Sequence, residues 1–401
     1  MRKRWRALWL SIHRWLGLAA GLVFVLLGLT GSFLVFHHAI DAWLNPELLH
    51  RSEAGTSRSL AEIIAAAKEV GLQDGKLLRF ADAPLGADGV WNVWFLAERE
   101  GAIFQHVYVD PVTAEVTGQR IRGNYLATWM YKLHIELLAG RRGATLVGIS
   151  GILLIVSLGS GVYLWWPLWK HSWRSGFAVR GGSRFVFDLH KVLGLVGVPL
   201  LLVIAFSGVY MVFPGWFKPI GELARGKAEN KPPPLVSHSV DDATPITPDR
   251  AVEIGLSQLP GAELHRVYFP TSERGVYTIR LRQPRDIRRS SGSSRVWIEQ
   301  FSGKVLAVRD WNDLSAVDTF FAWQLPLHNG EAFGIAGQWV VFATGFLPAV
   351  LYGTGFWLWW RKGRIKRRRQ KERQIETPHT GLRQNESQGT ASIPNAKSTT
   401  S

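Results

Sequence analysis

Four long apolar stretches constrain this chain more than any other feature. They cover roughly residues 15–37, 145–166, 191–213 and 338–360. The hydrocarbon core of a bilayer is about 30 Å thick, so a helix needs about 20 apolar residues to cross it. Each stretch has that length, whereas the segments between them are polar. The sequence therefore predicts an α-helical membrane bundle of four transmembrane helices that carries polar insertions.

The chain is also an internal duplication, because two phrases recur at fixed offsets. At an offset of 177 positions HRWLGL (13–18) matches HKVLGL (190–195), and the match continues without a gap to Phe36 and Phe213. At an offset of 194, TWMYKLH (128–134) matches AWQLPLH (322–328), and SGVYLWW (160–166) matches TGFWLWW (354–360). The bundle is therefore predicted to consist of two tandem repeats of two spans each.

Basic residues beside the spans predict the orientation. MRKRWR precedes the first span, Lys170, Arg174, Arg180 and Arg184 lie between the second and third, and RKGRIKRRRQK follows the fourth. By the positive-inside rule both termini are cytoplasmic, and we expect a multi-pass protein of the bacterial inner membrane. The run after the fourth span is expected to bind anionic membrane lipid, and no nucleic acid.

The two polar insertions then face the periplasm. Each contains a short amphipathic helical pattern followed by alternating, strand-like segments, which predicts two small α+β modules. The predicted divisions are a basic N-terminus (1–14), the first span (15–38), module 1 (39–128), the second span with a periplasmic lead-in (129–169), a cytoplasmic loop (170–184), the third span (185–213), module 2 (214–322), the fourth span with its lead-in (323–361) and a basic, disordered tail (362–401).

Histidine is the residue type most able to carry chemistry here, because the chain has no cysteine and only three methionines. This excludes disulfides, thiolate ligands and iron–sulfur clusters. His13 and His190 are equivalent in the two repeats and lie at the cytoplasmic ends of spans one and three, whereas His134 and His328 are equivalent at the periplasmic entries of spans two and four. Two facing imidazoles suit a b-type haem as axial ligands, so the pattern predicts two b-type haems.

Other polar residues have two interpretations. His37 and His38 lack histidine equivalents in the second repeat and are interpreted as interfacial or substrate-side residues. Arg141 and Arg142 are ordinary outer-loop charges or contacts to haem propionates. Module 2 is rich in arginine, which forms a solvated face or steers an anionic complex. The remaining histidines lie in polar segments and are expected at the solvated surface: His50, His106, His171, His238, His265 and His379.

The phrases HRWLGLAAGLVFVLLGLTGSFLVFHHAID, LHIELLAG, DLHKVLGLVGVPLLLVIAFSGVYMVFP and GFWLWWRK resemble the PepSY-associated transmembrane family, from about residue 5 to 365. Within it the resemblance is closest to inner-membrane ferrisiderophore reductases of the ferrioxamine-utilisation type. It implies two periplasmic PepSY-like modules and a haem-dependent ferric-chelate reductase that passes electrons to ferric siderophores and releases Fe(II). His13, His190, His134 and His328 match the histidines that begin the family's spans. The electron donor, cytoplasmic or within the membrane, stays open.

Two other classes of function are compatible with the sequence. A non-redox membrane regulator would use PepSY-like modules to bind peptides or restrain a protease, and it would be colourless when purified. A transporter would move the siderophore or its iron through the duplicated bundle. The repeats share one orientation and no span carries an interior carboxylate, so transport is the weaker of the two.

Overall fold

A computed structural model describes residues 2–71, 76–97, 104–225, 235–237 and 244–376. In these ranges the helices are α1 (Arg2–Ala19), α2 (Gly21–Val35), α3 (His37–Leu44), α4 (Pro46–Leu49), α5 (Leu60–Gly71), α6 (Leu126–Glu136), α7 (Gly140–His171), α8 (Trp173–Phe177), α9 (Phe185–Val212), α10 (Pro214–Arg225), α11 (Pro248–Gln258), α12 (Ala316–Ala322), α13 (Gln324–Asn329), α14 (Gly334–Thr344) and α15 (Leu347–Glu376). The strands are β1 (Leu77–Asp82), β2 (Trp91–Leu96), β3 (Phe104–Val109), β4 (Val116–Ile121), β5 (Glu263–Tyr268), β6 (Val276–Arg282), β7 (Ser294–Glu299) and β8 (Val305–Arg309).

Three helical segments of the described chain are each long and apolar enough to cross a membrane: Gly140–Lys170, Gly182–Val212 and Glu331–Glu372. A fourth crossing is formed if Lys3–Ala19 and Gly21–Val35, which meet at an angle of 56°, act as one span. Length and apolar composition at this scale are characteristic of membrane helices. The chain is therefore a multi-pass membrane protein.

The predicted first span is divided between two helices. Residues 1–14 were expected to precede a span at 15–38, and in the structure they lie on α1, which begins at Arg2 and is bent against α2 at Ala20. The bend lies beside Gly21, where an added Cβ atom would collide with the ring of Tyr352 in α15. This contact joins residues far apart in sequence, so the local apolar pattern could not locate it.

The lead-ins to spans two and four are separate short helices. Leu137 and Leu138 adopt positive φ angles of 49° and 57° between α6 and α7, and Gly330 has a φ of 83° after α13. These left-handed residues end each lead-in before the span begins. The last helix continues to Glu376, so residues 362–376, which were predicted to belong to a disordered tail, are helical. Residues 377–401 of the predicted tail lie outside the described residues.

The polar insertions form one sheet, whereas two separate modules were predicted. Its eight antiparallel strands follow the order β4-β3-β2-β1-β5-β6-β7-β8. The halves join where β1 pairs with β5, with Ala81 opposite Val267. Asp249 of α11 also accepts hydrogen bonds from the backbone N–H groups of Leu60 and Ala61 at the start of α5. Joining the halves satisfies backbone groups that two separate modules would leave at exposed edges.

The sheet has two unlike sides. One packs on α5 and α11 around a shared apolar core that includes Phe95, Val107, Ile279 and Ile298. The other side, which we term the bundle-facing side, carries alternate residues of the same strands. There Arg120 of β4 pairs with Asp41 of α3 at 2.8 Å and lies 3.8 Å from the ring centre of Tyr125, just before α6. This side therefore faces the helices that connect the sheet to the membrane bundle.

Candidate functional site: two histidine pairs

The four repeat-equivalent histidines form two pairs. The terminus-side pair consists of His13 on α1 and His190 on α9, whose ring centres are 6.2 Å apart with planes at 84°. The sheet-side pair consists of His134 on α6 and His328 on α13, whose ring centres are 6.1 Å apart with planes at 63°. Each pair joins one histidine from each repeat. Histidines that are equivalent in the two repeats are thus neighbours in the structure.

Each histidine is hydrogen-bonded through Nδ1 to a hydroxyl group on a neighbouring span of its own repeat. The four contacts are His13 to Ser160 at 2.9 Å, His134 to Thr30 at 3.0 Å, His190 to Thr354 at 2.8 Å and His328 to Ser207 at 3.0 Å. The hydroxyls are themselves repeat-equivalent at the offsets of 177 and 194. The bundle therefore holds every ring in the same manner.

The directions of these hydrogen bonds determine the tautomer. Each hydroxyl donates its proton to a carbonyl of its own helix, as Thr354 does to Val350 at 2.7 Å and Ser207 to Val203 at 2.7 Å. Its oxygen must then accept from Nδ1–H of the histidine. Carbonyl oxygens at 3.1 Å from Nδ1 of His13 and 3.0 Å from Nδ1 of His328 require the same proton. The lone pair is therefore on Nε2, the nitrogen available to a metal.

A glycine adjoins every ring. A Cβ atom at Gly161, Gly31, Gly355 or Gly208 would lie 3.1–3.4 Å from Cε1 of His13, His134, His190 or His328, respectively. Each of these glycines directly follows the hydroxyl residue that binds the same histidine. The repeated unit is thus a serine or threonine followed by glycine, which supplies one hydrogen bond and removes the side chain that would displace the ring.

The pairs fit a bis-histidine haem. A metal–imidazole bond of about 2.0 Å, with about 1.1 Å from the nitrogen to the ring centre, places two opposed ligand rings about 6.2 Å apart. The observed separations are 6.2 and 6.1 Å. In the described part of the chain, no three His, Asp or Glu residues cluster closely enough to hold a metal ion by themselves. Two protein ligands suffice where a porphyrin supplies the other four.

The remaining predicted site residues lie elsewhere. His37 and His38 contact each other at the start of α3, with ring centres 4.0 Å apart, and His37 Nδ1 bonds to the carbonyl of Leu34 at 2.6 Å. His38 is exposed. Arg141 and Arg142 lie in the first turn of α7, are exposed, and form no ion pair among the described residues. Their predicted contact to propionates stays a prediction.

The hydroxyl residues Thr30, Ser160, Ser207 and Thr354 were not among the predicted site residues. The repeats could have indicated them, because at four positions a serine or threonine directly precedes a glycine that is present in both repeats. A second omission is Asp188, which is fully buried in the first turn of α9 and binds Lys191 at 3.1 Å and Arg180 at 2.8 Å. Its equivalent in the first repeat is Ser11, so no repeated pattern indicated it.

His106 also contradicts its prediction, since it was expected at the solvated surface. It is 2% exposed on the bundle-facing side, its ring centre is 3.6 Å from that of Trp94, and its Nε2 has no hydrogen-bond partner. Burial, followed by the charges of Arg122 and Arg120, lowers its pKa to about 3. His265, on β5, has its pKa lowered to about 3 by burial and by Arg280. His238 and His379 lie outside the described residues.

The buried His106 predicts acid sensitivity of the sheet. Its pKa is about 3 when folded, against about 6.5 when unfolded, so only the unfolded chain gains a proton as the pH falls below 6.5. Stability should decrease by roughly 1–2 kcal/mol between pH 6.5 and 5 through this residue. In thermal unfolding across this range, His106→Gln should lose part of the pH dependence and His50→Gln, an exposed control, should keep it all. An unchanged slope in His106→Gln would contradict this assignment.

Comparison with known proteins agrees with the architecture. The model of the PepSY-associated transmembrane region matches residues 10–362, which include both histidine pairs and the whole sheet. An uncharacterized protein of Pseudomonas aeruginosa is 35% identical over 81 residues, which make up 20% of this chain and 20% of that protein. Because the family match covers most of the chain, it confirms the predicted membership of this family. The chain belongs to the family of proteins with a PepSY-associated transmembrane region.

Proposed function

We propose that this protein is a di-haem inner-membrane reductase that carries electrons across the membrane to ferric siderophores in the periplasm and releases Fe(II). One observation carries the proposal: two stacked levels of paired histidines, each with its tautomer fixed for metal binding and its ring spacing matched to a bis-histidine haem. A regulator that binds peptides has no need of four imidazoles held in this way.

The chain supplies ligands, orientation and an apolar environment. His13 and His190 would hold one b-type haem, and His134 and His328 the other. A haem with two imidazole ligands accepts and passes on one electron at a time. The hydroxyl contacts fix each ring before any metal binds, which reduces the rearrangement that ligand binding requires. The glycines beside the rings keep that space free of side chains.

The two pairs lie at different depths of the bundle. α9 carries His190 and, 17 positions later, Ser207, which binds His328. At 1.5 Å per residue this is about 25 Å along the helix, most of the hydrocarbon thickness. Two centres would divide this distance into shorter steps. The sheet-side centre would then be the electron donor to substrate, and the terminus-side centre would receive electrons from a cytoplasmic or membrane donor.

Reduction is a sufficient chemical step for iron release. Siderophores hold Fe(III) through hard oxygen ligands, and a ferric ion that takes up one electron becomes a larger and less charged ion that these ligands bind poorly. No bond of the siderophore has to break. The protein therefore needs an electron path and a docking surface, and no nucleophile or general base.

The visible spectrum tests the proposal directly. The full chain, expressed with a haem supply and purified in detergent, should show a Soret band in its oxidised form. Dithionite should give the sharp α and β bands of low-spin, six-coordinate haem, and pyridine extraction should yield about two haems per chain. The reduced protein should be reoxidised by a ferric siderophore. A folded but colourless protein would refute the proposal and favour the regulator.

Removal of one hydroxyl should weaken the haem site without removing a ligand. In Thr354→Val, Nδ1–H of His190 loses its acceptor at 2.8 Å, so the ring is less basic and less firmly oriented. We expect the affinity of the terminus-side pair for haem to fall by about 10–100-fold. The midpoint potential of the haem that is still bound there should become more positive. Thr354→Ser should restore both in a potentiometric titration. Identical potentials for the valine and serine variants would contradict the assigned role.

A further inference from the structure

Four arginines follow one another across adjacent strands on the bundle-facing side of the sheet. Arg266 of β5 is opposite Arg280 of β6, Arg280 is opposite Arg295 of β7, and Arg295 is opposite Arg309 of β8. The row begins at Asp82 of β1, which is opposite Arg266 and forms an ion pair with it. Like charges directly opposite on neighbouring strands destabilise a sheet. The row therefore lowers the stability of the sheet unless another interaction offsets the repulsion between the arginines.

The fold itself does not require these arginines. In the first half of the sheet, the repeat-equivalent row runs through Phe80, Trp94, His106 and Arg120. It contains one arginine, Arg120, which is paired with Asp41. Both halves have the same strand order and pack a helix on the opposite side. Since the first half forms its strands with a single, ion-paired arginine in this row, the run of adjacent arginines belongs to the second half alone.

Three of these arginines and one from the adjacent loop form a patch in which no guanidinium group is ion-paired with a carboxylate of the described residues. We term it the arginine cluster: Arg280, Arg288, Arg295 and Arg309. None of them forms a salt bridge within the described residues, unlike Arg266. Arg280 binds only the neutral groups Gly292 O and Ser291 Oγ, at 2.9–3.0 Å. Nε of Arg288 is buried without a partner. Positive charge is thus concentrated and incompletely neutralised.

The cluster members affect one another. Burial and the charges of Arg295 and Arg288 lower the pKa of Arg280 to about 10, and burial lowers the pKa of Arg288. A bound anion would relieve both effects. Trp297, two residues after Arg295 on the same side of β7, adds an aromatic surface beside the charges.

The cluster is joined to the sheet-side histidine pair. Glu331, three residues after His328, accepts a hydrogen bond from the backbone N–H of Ser290 at 3.1 Å, in the loop that carries Arg288. Burial lowers the pKa of Arg288 and the charge of Glu331 opposes this effect, and Oε1 of Glu331 is buried without a partner. A ligand on the cluster would therefore lie next to the segment that holds the proposed electron-donating centre.

We propose that the arginine cluster is the docking site for the substrate and that it selects ferric chelates of net negative charge, such as catecholate or hydroxycarboxylate complexes, over neutral hydroxamate complexes. This inference rests on the proposed function and specifies its substrate class. Several guanidinium groups near one another suit a ligand with several anionic oxygens, which each group binds by charge-assisted hydrogen bonds.

Gallium(III) chelates test docking separately from electron transfer, because Ga(III) has the charge and ligand preference of Fe(III) but is not reduced. The detergent-purified full chain is titrated calorimetrically with a trianionic gallium tricatecholate and with a neutral gallium trihydroxamate. We expect the tricatecholate to bind at least about tenfold more tightly. Its affinity should fall steeply as ionic strength rises, and that of the trihydroxamate should not.

The double variant Arg280→Gln/Arg295→Gln should weaken tricatecholate binding by roughly tenfold or more and leave the visible spectrum unchanged. Arg280→Lys/Arg295→Lys should retain part of the affinity, which separates charge from folding defects. Arg250→Gln is the matched control, because Arg250 is an exposed arginine of α11, on the opposite side of the sheet, paired with Glu253 at 2.7 Å. Arg250→Gln should bind the gallium tricatecholate with the affinity of the wild type.

Three results would overturn the inference. They are equal affinity of the wild type for the two chelates, unchanged tricatecholate binding in the glutamine double variant, and loss of haem from that variant with chelate affinity retained. The last would assign the cluster to haem propionates. A colourless wild-type protein that still binds the anionic chelate selectively would refute the reductase and leave the docking site standing, so the two failures are distinguishable.

Discussion

His13→Ala should remove the haem of the terminus-side pair and retain the other, so that about half of the Soret absorbance per chain is lost. The reason is geometric, since His13 and His190 form one pair and His134 and His328 form the other. His134→Ala should remove the other half, and the combination of the two should give a colourless protein. The measurement is pyridine haemochrome per folded chain, with folding checked by gel filtration.

The pairing makes further tests possible. His13→Ala/His190→Ala should lose no more pigment than either single variant, because both residues serve one haem. His37→Ala and His38→Ala are matched controls, since their rings contact each other and neither pair. If either control lost as much haem as His13→Ala, or if His13→Ala lost both haems, the assignment of ligands would be wrong.

Asp188→Ala should destabilise the protein by roughly 3 kcal/mol. Its carboxylate is fully buried and binds the ammonium group of Lys191, whose side chain is 5% exposed. Lys191 also donates to the carbonyls of Ser175 and Ala178, so this cluster attaches the loop after α7 to the start of α9. Without Asp188 a buried charge remains without its counter-ion. Arg180 is 46% exposed and contributes less.

Thermal unfolding in detergent measures this effect, with Asp188→Asn as the variant that keeps shape and removes charge. The control is Glu253→Ala, which breaks an exposed ion pair with Arg250 and should cost less than about 0.5 kcal/mol. A melting temperature for Asp188→Ala equal to that of Glu253→Ala would show that the buried cluster is not important for stability.

The sequence predicted features that depend on composition and repetition. The apolar stretches indicated the spans, and the two offsets identified which histidines are equivalent, because a duplicated chain places equivalent residues at equivalent depths. The family was also identified correctly from its phrases. These features are visible within one segment or from the comparison of two segments of the sequence. They can be recognised without knowledge of any tertiary contact.

Features that depend on tertiary contacts were missed. The junction of β1 with β5 pairs Phe80 with Tyr268, and alternation within each strand contains no record of that partner. Gly21, beside the bend between α1 and α2, packs against the ring of Tyr352 in the other repeat. The burial of His106 follows from the side of β3 that faces the bundle. In each case the contact joins residues that are far apart in sequence.

The hydroxyl bonds lie within each repeat, whereas the histidine pairs join the two repeats. As a result, a ribosome that has completed three spans has made both histidines of the terminus-side pair but only His134 of the sheet-side pair. The sheet-side pair and the hydroxyl contact of His190 are completed only near the end of synthesis, because His328 and Thr354 come last in the chain. Because each pair takes one histidine from each repeat, one repeat alone could form both pairs only by associating with a second copy of itself.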